Sequence, residues 1–466
     1  MDAADFAIQN ADALCRMSAR DLAKGYRDRT ISPVEVAKAC LSRAHELNPV
    51  FNAFTFIDHE GALEAARSSE ARWAKGEPLS VVDGVPATIK DIVWVKDWMV
   101  RFGSALTSPT PFQEDAPSVR LMRAAGIVFL GQTTTPEFGW KAVTDSKTFG
   151  ITRHPHDTDL TPGGSSGGAA VAAALGAGVF HLGTDGGGSI RIPSAFCGLT
   201  GLKPTFSRVP AYPASAFGTV AHIGPMCRNA EDAFEMLKAM SGRDRRDWYQ
   251  GEGRLDPLDY EAVEIKGLRV GYWTKPPAGR LDPEVAQIVD RQVKSLEALG
   301  AIVEPFDLPG SDLLDTFHVH WFSGAAARLA SFSSAEWDKV DPGLLEIAET
   351  GRSYSAQTLV AAQVERAEYG ARMDAALEAY DFIVSPAVTV PAFGAGLEVP
   401  AGSSLNRWTE WASFSFPINL TQQPAGVVPC GKTQAGLPVA LQVIGARGKD
   451  ARVLSFLDKL EKGGGI

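Results

Sequence analysis

Three short stretches carry side chains able to do chemistry. In "HLGTDGGGSIRIP", His181 to Pro193, three glycines run into Ser189, with Asp185 before them and Arg191 after. In "TPGGSSGGAA", Ser165 and Ser166 sit between two glycine pairs, and "DGVPATIKDIVWV" carries Lys90 late in an apolar run. A serine hydroxyl becomes a useful nucleophile when a neighbouring base takes its proton, so the first question is which base is available. "GGSSG" fits G-x-S-x-G, with Ser165 at a nucleophile elbow, a scheme that places its histidine late in the chain after an acid. His222, His318 and His320 follow Ser165, but His320 is the last histidine, which weighs against that order. No serine begins S-x-x-K. Neither glycine segment has the lysine of a Walker loop or the spacing of a dinucleotide fingerprint. "HPH" (His154, His156) and "HVH" (His318, His320) each offer two metal ligands without a clear third, and Pro155 suggests a surface turn. No metal and no cofactor are expected. A lysine can serve as base when burial disfavours its ammonium and lowers its pKa from about 10.4. Lys90 has an apolar setting for this, although an ion pair with the adjacent Asp91 accounts for it equally well.

These residues need a scaffold, and the chain can build one. Its 466 residues, 45% of them apolar, are enough for a large core. The formal charge is −10 and the basic residues are scattered rather than grouped in a stripe, which argues against a nucleic-acid partner. Five cysteines lie far apart without C-x-x-C spacing, as suits a reducing cytoplasm. "MDAADFAIQNADALCR" lacks a basic-then-apolar leader pattern, and the longest apolar stretch, "AAVAAALGAGVF", falls short of the ~20 residues of a membrane helix. The expectation is a soluble, cytoplasmic protein with no membrane partner. "ISPVEVAKACLSRAHELN" predicts a helix opened by a Ser32–Glu35 capping box with Pro33 at its first position. "FNAFTFID", "VPATIKDIVWV" and "IVFLGQT" predict strands, with a helix over "SVRLMRAAG". Residues 150 to 225 are dense in glycine between regular elements, a pattern common at active sites. After "NAEDAFEMLKAMSG", read as a capped helix, "LRVGYWT", a helix from Asp282-Pro283 and "AIVEPFDLP" form a further β-α-β unit. Residues 311 to 380 read as a mainly helical insertion. Strands return with "DFIVSPAVTVP" and "LPVALQVIG", and a helix follows from about Asp450. No repeat and no linker divides the chain, so residues 1–466 are read as one large α/β domain.

Taken together, "DGVPATIKD", "TPGGSSGGAA", "LGTDGGGSIRIPSAFCGLTGLKPT" and "GPMCR", in this order and spacing, closely resemble the amidase signature family of serine hydrolases. "INLTQQPAGVVPCG" and "GLPVALQVIG" extend the resemblance over nearly the whole chain. It implies a central mixed, twisted β-sheet covered on both faces by α-helices, with a signature core at about 80–230. It also implies a Ser-cisSer-Lys triad: Ser189 as the acyl-forming nucleophile, Ser165 as the bridging serine behind a cis peptide, and Lys90 as the base. The glycine loop becomes an oxyanion hole built from Gly186, Gly187, Gly188 and Ser189, where each N–H aimed at the oxyanion is worth ~2.7–4 kcal/mol. Asp185 and Arg191 are expected to brace that loop as an ion pair. Ser166 is expected to support the site, and Cys197 and Cys227 to pack.

One segment departs from the relatives. After "FLGQT", many of them carry a lysine before the threonine and an asparagine after it, whereas this chain reads Gln132, Thr133, Thr134 and Thr135. Acyl-group preference therefore does not carry over. Trp94, Trp98 and Trp140 are candidate aromatic walls or core residues. The expected activity is hydrolysis of a small acyl or aryl amide to acid plus ammonia or amine. The A-type component of a tRNA-dependent amidotransferase, releasing ammonia from glutamine in a complex, is the alternative. A non-catalytic binding protein on the same scaffold is disfavoured because Lys90, Ser165 and Ser189 are all intact. A homodimer is compatible with the sequence, which leaves oligomeric state open.

Overall fold

Apolar runs set down the strands, and a capped helix or a glycine turn separates most of them. The computed structural model describes residues 11–251 and 257–463; the readings of the first ten residues and of the last three lie outside these. The first strands are β1 (Phe54–Ile57), β2 (Pro86–Lys90) and β3 (Val128–Thr133), then a small hairpin, β4 (Asp145–Ser146) and β5 (Gly150–Ile151). Next come β6 (Phe180–Asp185), β7 (Thr200–Lys203), β8 (His222–Cys227), β9 (Arg269–Tyr272) and β10 (Ile302–Pro305). β11 (Phe382–Pro386), β12 (Ala425–Lys432) and β13 (Pro438–Ile444) complete the set. Apart from the hairpin, they make one eleven-stranded sheet in the order β1-β3-β2-β6-β8-β7-β12-β13-β11-β9-β10. The sheet is mixed: β2 runs parallel to β3 and β6, while β8 is antiparallel to β6 and β7. This is a single-domain α/β fold.

Helices cover both faces. The helix Pro33–Phe51 opens as the sequence predicts, with Glu35 N–H on Ser32 Oγ (3.2 Å) and Ser32 N–H on Glu35 Oε2 (2.8 Å). Successive strand side chains point to opposite faces. In β11, Phe382 and Val384 join one apolar cluster, with Leu22, Val36 and Leu441, while Ile383 joins another. That second cluster is rich in aromatics (Trp273, Phe317, Trp321, Trp408, Trp411 and Phe416) and receives the helices Leu313–Leu329, Pro342–Ser353 and Ala356–Ala379.

β2 and β6 position the site. They are parallel neighbours, with Ile89 opposite Leu182, so both end at the same edge of the sheet. In open α/β sheets ligands gather at the carboxyl ends of such strands. Here those ends deliver Lys90, Thr184 and Asp185.

Candidate active site

Lys90 closes β2 with its side chain buried, and its direction follows from the strand's alternation. Adjacent residues face opposite ways, so Lys90 and Asp91 do not pair. Asp91 instead accepts from the backbone N–H of Arg101 (2.7 Å) and Gly103 (3.1 Å). Burial pushes its carboxyl up to about 7. Lys90 Nζ lies 2.7 Å from Ser165 Oγ, 2.9 Å from Ser166 Oγ and 2.9 Å from Thr184 Oγ1. Burial drives its pKa well below the ordinary lysine value, against a smaller opposing pull from Asp185.

Three hydroxyl oxygens stand within reach of the amine's N–H donors. Ser166 Oγ donates its proton to the Thr184 carbonyl (3.2 Å), which leaves its oxygen to accept from Lys90. An ammonium serves Ser165, Ser166 and Thr184 with three N–H donors, whereas an uncharged amine serves two of them and turns its lone pair to the Ser165 hydroxyl. Thr184 lies within the quoted glycine motif, yet the sequence assigned its side chain no role. Only its register opposite Lys90's strand makes it legible.

Ser165 follows a cis Gly164–Ser165 peptide and precedes the helix Gly167–Ala174. A Cβ on Gly164 would lie 2.6 Å from the Val143 carbonyl carbon, so no side chain fits there. Ser165 and Ser189 line one cleft of about 230 Å³. Ser166 N–H donates to the Ser189 carbonyl (3.2 Å), tying the two serine segments together through backbone. Among the described residues, no hydrogen bond joins the Ser165 and Ser189 hydroxyls directly.

The glycine loop between β6 and the helix Arg191–Cys197 is braced from beneath. Asp185 Oδ1 accepts from Gly188 N–H (2.8 Å) and Oδ2 from Ile190 N–H (3.2 Å). Arg191 grips both carboxylate oxygens, Nε to Oδ2 and Nη2 to Oδ1, each at 3.0 Å. Its remaining hydrogens reach Ser415 O (3.0 Å), Gln442 Oε1 (2.7 Å) and Asn419 Oδ1 (2.6 Å). All five guanidinium donors are spent internally, so Arg191 has none for a substrate. Burial alone would raise the Asp185 pKa; the charge and hydrogen bonds of Arg191, with Lys203 and Asn419, hold it below the usual carboxylate range instead.

Gly188 N–H is therefore engaged by Asp185. The N–H groups of Gly186, Gly187 and Ser189 have no acceptor among the described residues. Packing supplies a second reason for the glycines. A Cβ on Gly186 would stand 2.7 Å from Trp321 Cζ3, and one on Gly187 2.7 Å from Trp408 Cη2.

Other sequence candidates fall elsewhere. Trp94 lines the cleft, whereas Trp98 and Trp140 belong to the two apolar clusters. Gln132 to Thr135 are buried and outside the cleft lining. Cys197 and Cys227 are buried, with thiols raised chiefly by burial. "HPH" differs from a plain surface turn, because His154 is buried with its Nε2 2.8 Å from Phe196 O. In "HVH", His318 stacks on Phe322 and meets Thr409 Oγ1 (2.9 Å). Among the described residues, no group of three or more His, Cys, Asp or Glu is placed to hold a metal ion. Nor is any helix long and apolar enough to cross a membrane.

Comparison with known proteins places this geometry among relatives. Residues 35–454 match the Amidase family. The A-type component of the glutamyl-tRNA(Gln) amidotransferase of Moorella thermoacetica is 33% identical, with 94% of each chain covered. An acylamidase of Rhodococcus erythropolis is also 33% identical, over 94% of this chain and 93% of its own. Among solved structures, a bacterial aryl acylamidase of the amidase signature family superposes with a TM-score of 0.89 at 26% identity, covering 96% of both chains. A 6-aminohexanoate cyclic dimer hydrolase, solved with its substrate, gives 0.85 at 27% identity, covering 96% of this chain and 97% of its own.

Proposed function

The chain belongs to the amidase signature family and is an amide-hydrolysing enzyme, and from that premise we propose that it cleaves a small acyl or aryl amide through an acyl-enzyme on Ser189. One observation carries the reading: the buried amine of Lys90 is ringed by hydroxyls, at 2.7 Å from Ser165 Oγ, with no carboxylate at hydrogen-bond distance among the described residues. Burial favours the uncharged form of this amine, the form that can take a proton.

In the attack, Ser189 Oγ bonds to the amide carbon and gives its proton to Ser165 Oγ, whose own proton moves to Lys90 Nζ. The N–H groups of Gly186, Gly187 and Ser189 receive the oxyanion, while Gly188 N–H holds the loop to Asp185. Collapse breaks the C–N bond, and the relay runs backwards to protonate the departing nitrogen, because an amide anion leaves poorly. Water then repeats the sequence to free the acid. Ser166 and Thr184 fix the amine; Asp185 and Arg191 fix the loop. No cofactor enters these steps. Five unpaired, buried thiols support a reducing compartment such as the cytoplasm.

Mass spectrometry after a fluorophosphonate probe tests the assignment. The expected adduct is on Ser189, and an adduct on Ser165 overturns it. The 33% identity to an amidotransferase component favours a second reading, ammonia release from glutamine within a complex. Purified alone, a chain of that kind is poorly active on simple amides and co-purifies with its partner chains. Robust turnover of acetanilide or benzamide by the isolated chain excludes it.

A further inference from the structure

Arg328, on the last turn of the helix Leu313–Leu329, lines the same cleft as Ser165 and Ser189. Its guanidinium carbon lies 4.5 Å from the ring centre of Phe138, 4.8 Å from that of Phe102 and 5.6 Å from that of Phe332. Aromatic faces satisfy the flat face of a guanidinium electrostatically, but they accept little from its in-plane N–H groups. Those groups have no hydrogen-bond acceptor and no carboxylate partner among the described residues. Burial disfavours the guanidinium charge and lowers its pKa, a cost that an incoming anion relieves.

Among the described residues, no internal anion is paired with it to relieve that cost. The single acid in the cleft lining among the described residues, Asp247, is engaged by the N–H of Ala211 (2.9 Å) and of Tyr249 (2.8 Å). His222, also in the lining, is held uncharged by burial, with Nδ1 2.8 Å from Val220 O. The ring pair that clasps Arg328 is itself built against local preference. Phe102 (φ 56°) and Phe138 (φ 51°) both occupy left-handed backbone, uncommon for bulky residues and typical of positions that a site demands. The ring contacts hold the guanidinium on the wall of the cleft.

We propose that Arg328 is a specificity-determining residue that receives a carboxylate on the substrate, so that this enzyme prefers amides bearing an anionic group away from the scissile bond. The inference rests on the reading of the cleft as an amide-hydrolysing site. A planar guanidinium edge and a carboxylate match through two parallel N–H···O bonds, and this fork geometry selects carboxylate over a neutral ester of similar size. The carboxylate can sit on the acyl part or on the amine part, and the two sources call for separate substrates.

One arm compares glutaryl 4-nitroanilide with its methyl ester, placing charge on the acyl side. The other compares 4-acetamidobenzoate with its methyl ester, placing charge on the leaving amine. In one arm the acid is expected to exceed its ester in kcat/KM by at least about tenfold, as suits hydrogen bonds to a charged group. Arg328→Gln is expected to abolish that preference through KM, leaving the ester within about threefold, and Arg328→Lys to restore part of it. Equal losses for acid and ester, or no preference in either arm, overturn the proposal. A binding measurement separates this from the chemistry. Calorimetry on Ser189→Ala, with and without Arg328→Gln, reads the same acids and esters without turnover. Arg328-dependent binding of an acid without hydrolysis by the parent chain would sink the hydrolase reading and keep this one. Hydrolysis without charge preference does the reverse.

Discussion

Around Arg191 every guanidinium hydrogen has an acceptor, whereas Arg328 meets three phenylalanine rings and, among the described residues, no hydrogen-bond acceptor for its guanidinium. Arg191 is fully buried beneath the glycine loop; Arg328 is half-buried on the wall of the cleft. The difference separates two tasks. A site that must hold donors steady during reaction uses charges neutralised at home, because preorganised dipoles need no rearrangement in the transition state. A site that selects its ligand keeps a charge unpaired until the ligand arrives.

The largest effects should come from the proposed reacting groups beside the braced loop. Ser189→Ala is expected to remove about 10⁴-fold or more of kcat, as does Lys90→Ala, in stopped assays of released ammonia or amine. Both chains should unfold close to the parent in urea. Next comes the brace. Arg191→Met leaves Asp185 a buried charge without its ion-pair partner, and breaking such a pair costs about 3–5 kcal/mol. A urea midpoint within error of the parent would show that the network carries no strength, and the contrast with Arg328 would collapse.

A pH profile sharpens the comparison further. Lys90 acts as a base only when uncharged, and burial places that change below the ordinary lysine range. Activity should therefore climb as pH rises through the lowered Lys90 pKa and vanish in acid. Asp91, pushed up to about 7, faces backbone amides rather than the hydroxyls. Asp91→Asn should accordingly keep the inflection, and a profile that loses it assigns the titration to Asp91. The smallest effect belongs to Thr184→Val. Removing one of the amine's acceptors should lower kcat by about five- to tenfold, at roughly 1 kcal/mol per hydrogen bond, with KM unchanged.

The sequence was most informative where local chemistry and local structure coincide. Lys90, Ser165 and Ser189 stand in glycine-bounded motifs, and Ser32 and Asp282 announce their helices by hydrogen-bond geometry confined to a few residues. β8 was harder, because "HIGPMC" puts Pro225 opposite Leu182 inside a sheet that prolines usually avoid. Thr184 acquires its role from strand register. Asn419 and Gln442 reach Arg191 across 228 and 251 residues, beyond any window of periodicity. Arg328 was invisible for the same reason. Phe102, Phe138 and Phe332 gather around it only when a loop, a 3₁₀ turn and a helix end meet. "HPH" misled in the opposite direction, since a proline between two histidines suggests exposure while Phe196 O waits in the interior for His154.

The long reach of Arg191 also bears on how the protein is made. A ribosome delivers Asp185, the glycines and Ser189 well before it delivers Ser415, Asn419 and Gln442. Until those arrive, a nascent chain carries Ser189 on a loop whose arginine holds only Asp185, so three of the five guanidinium contacts under that loop form late in synthesis.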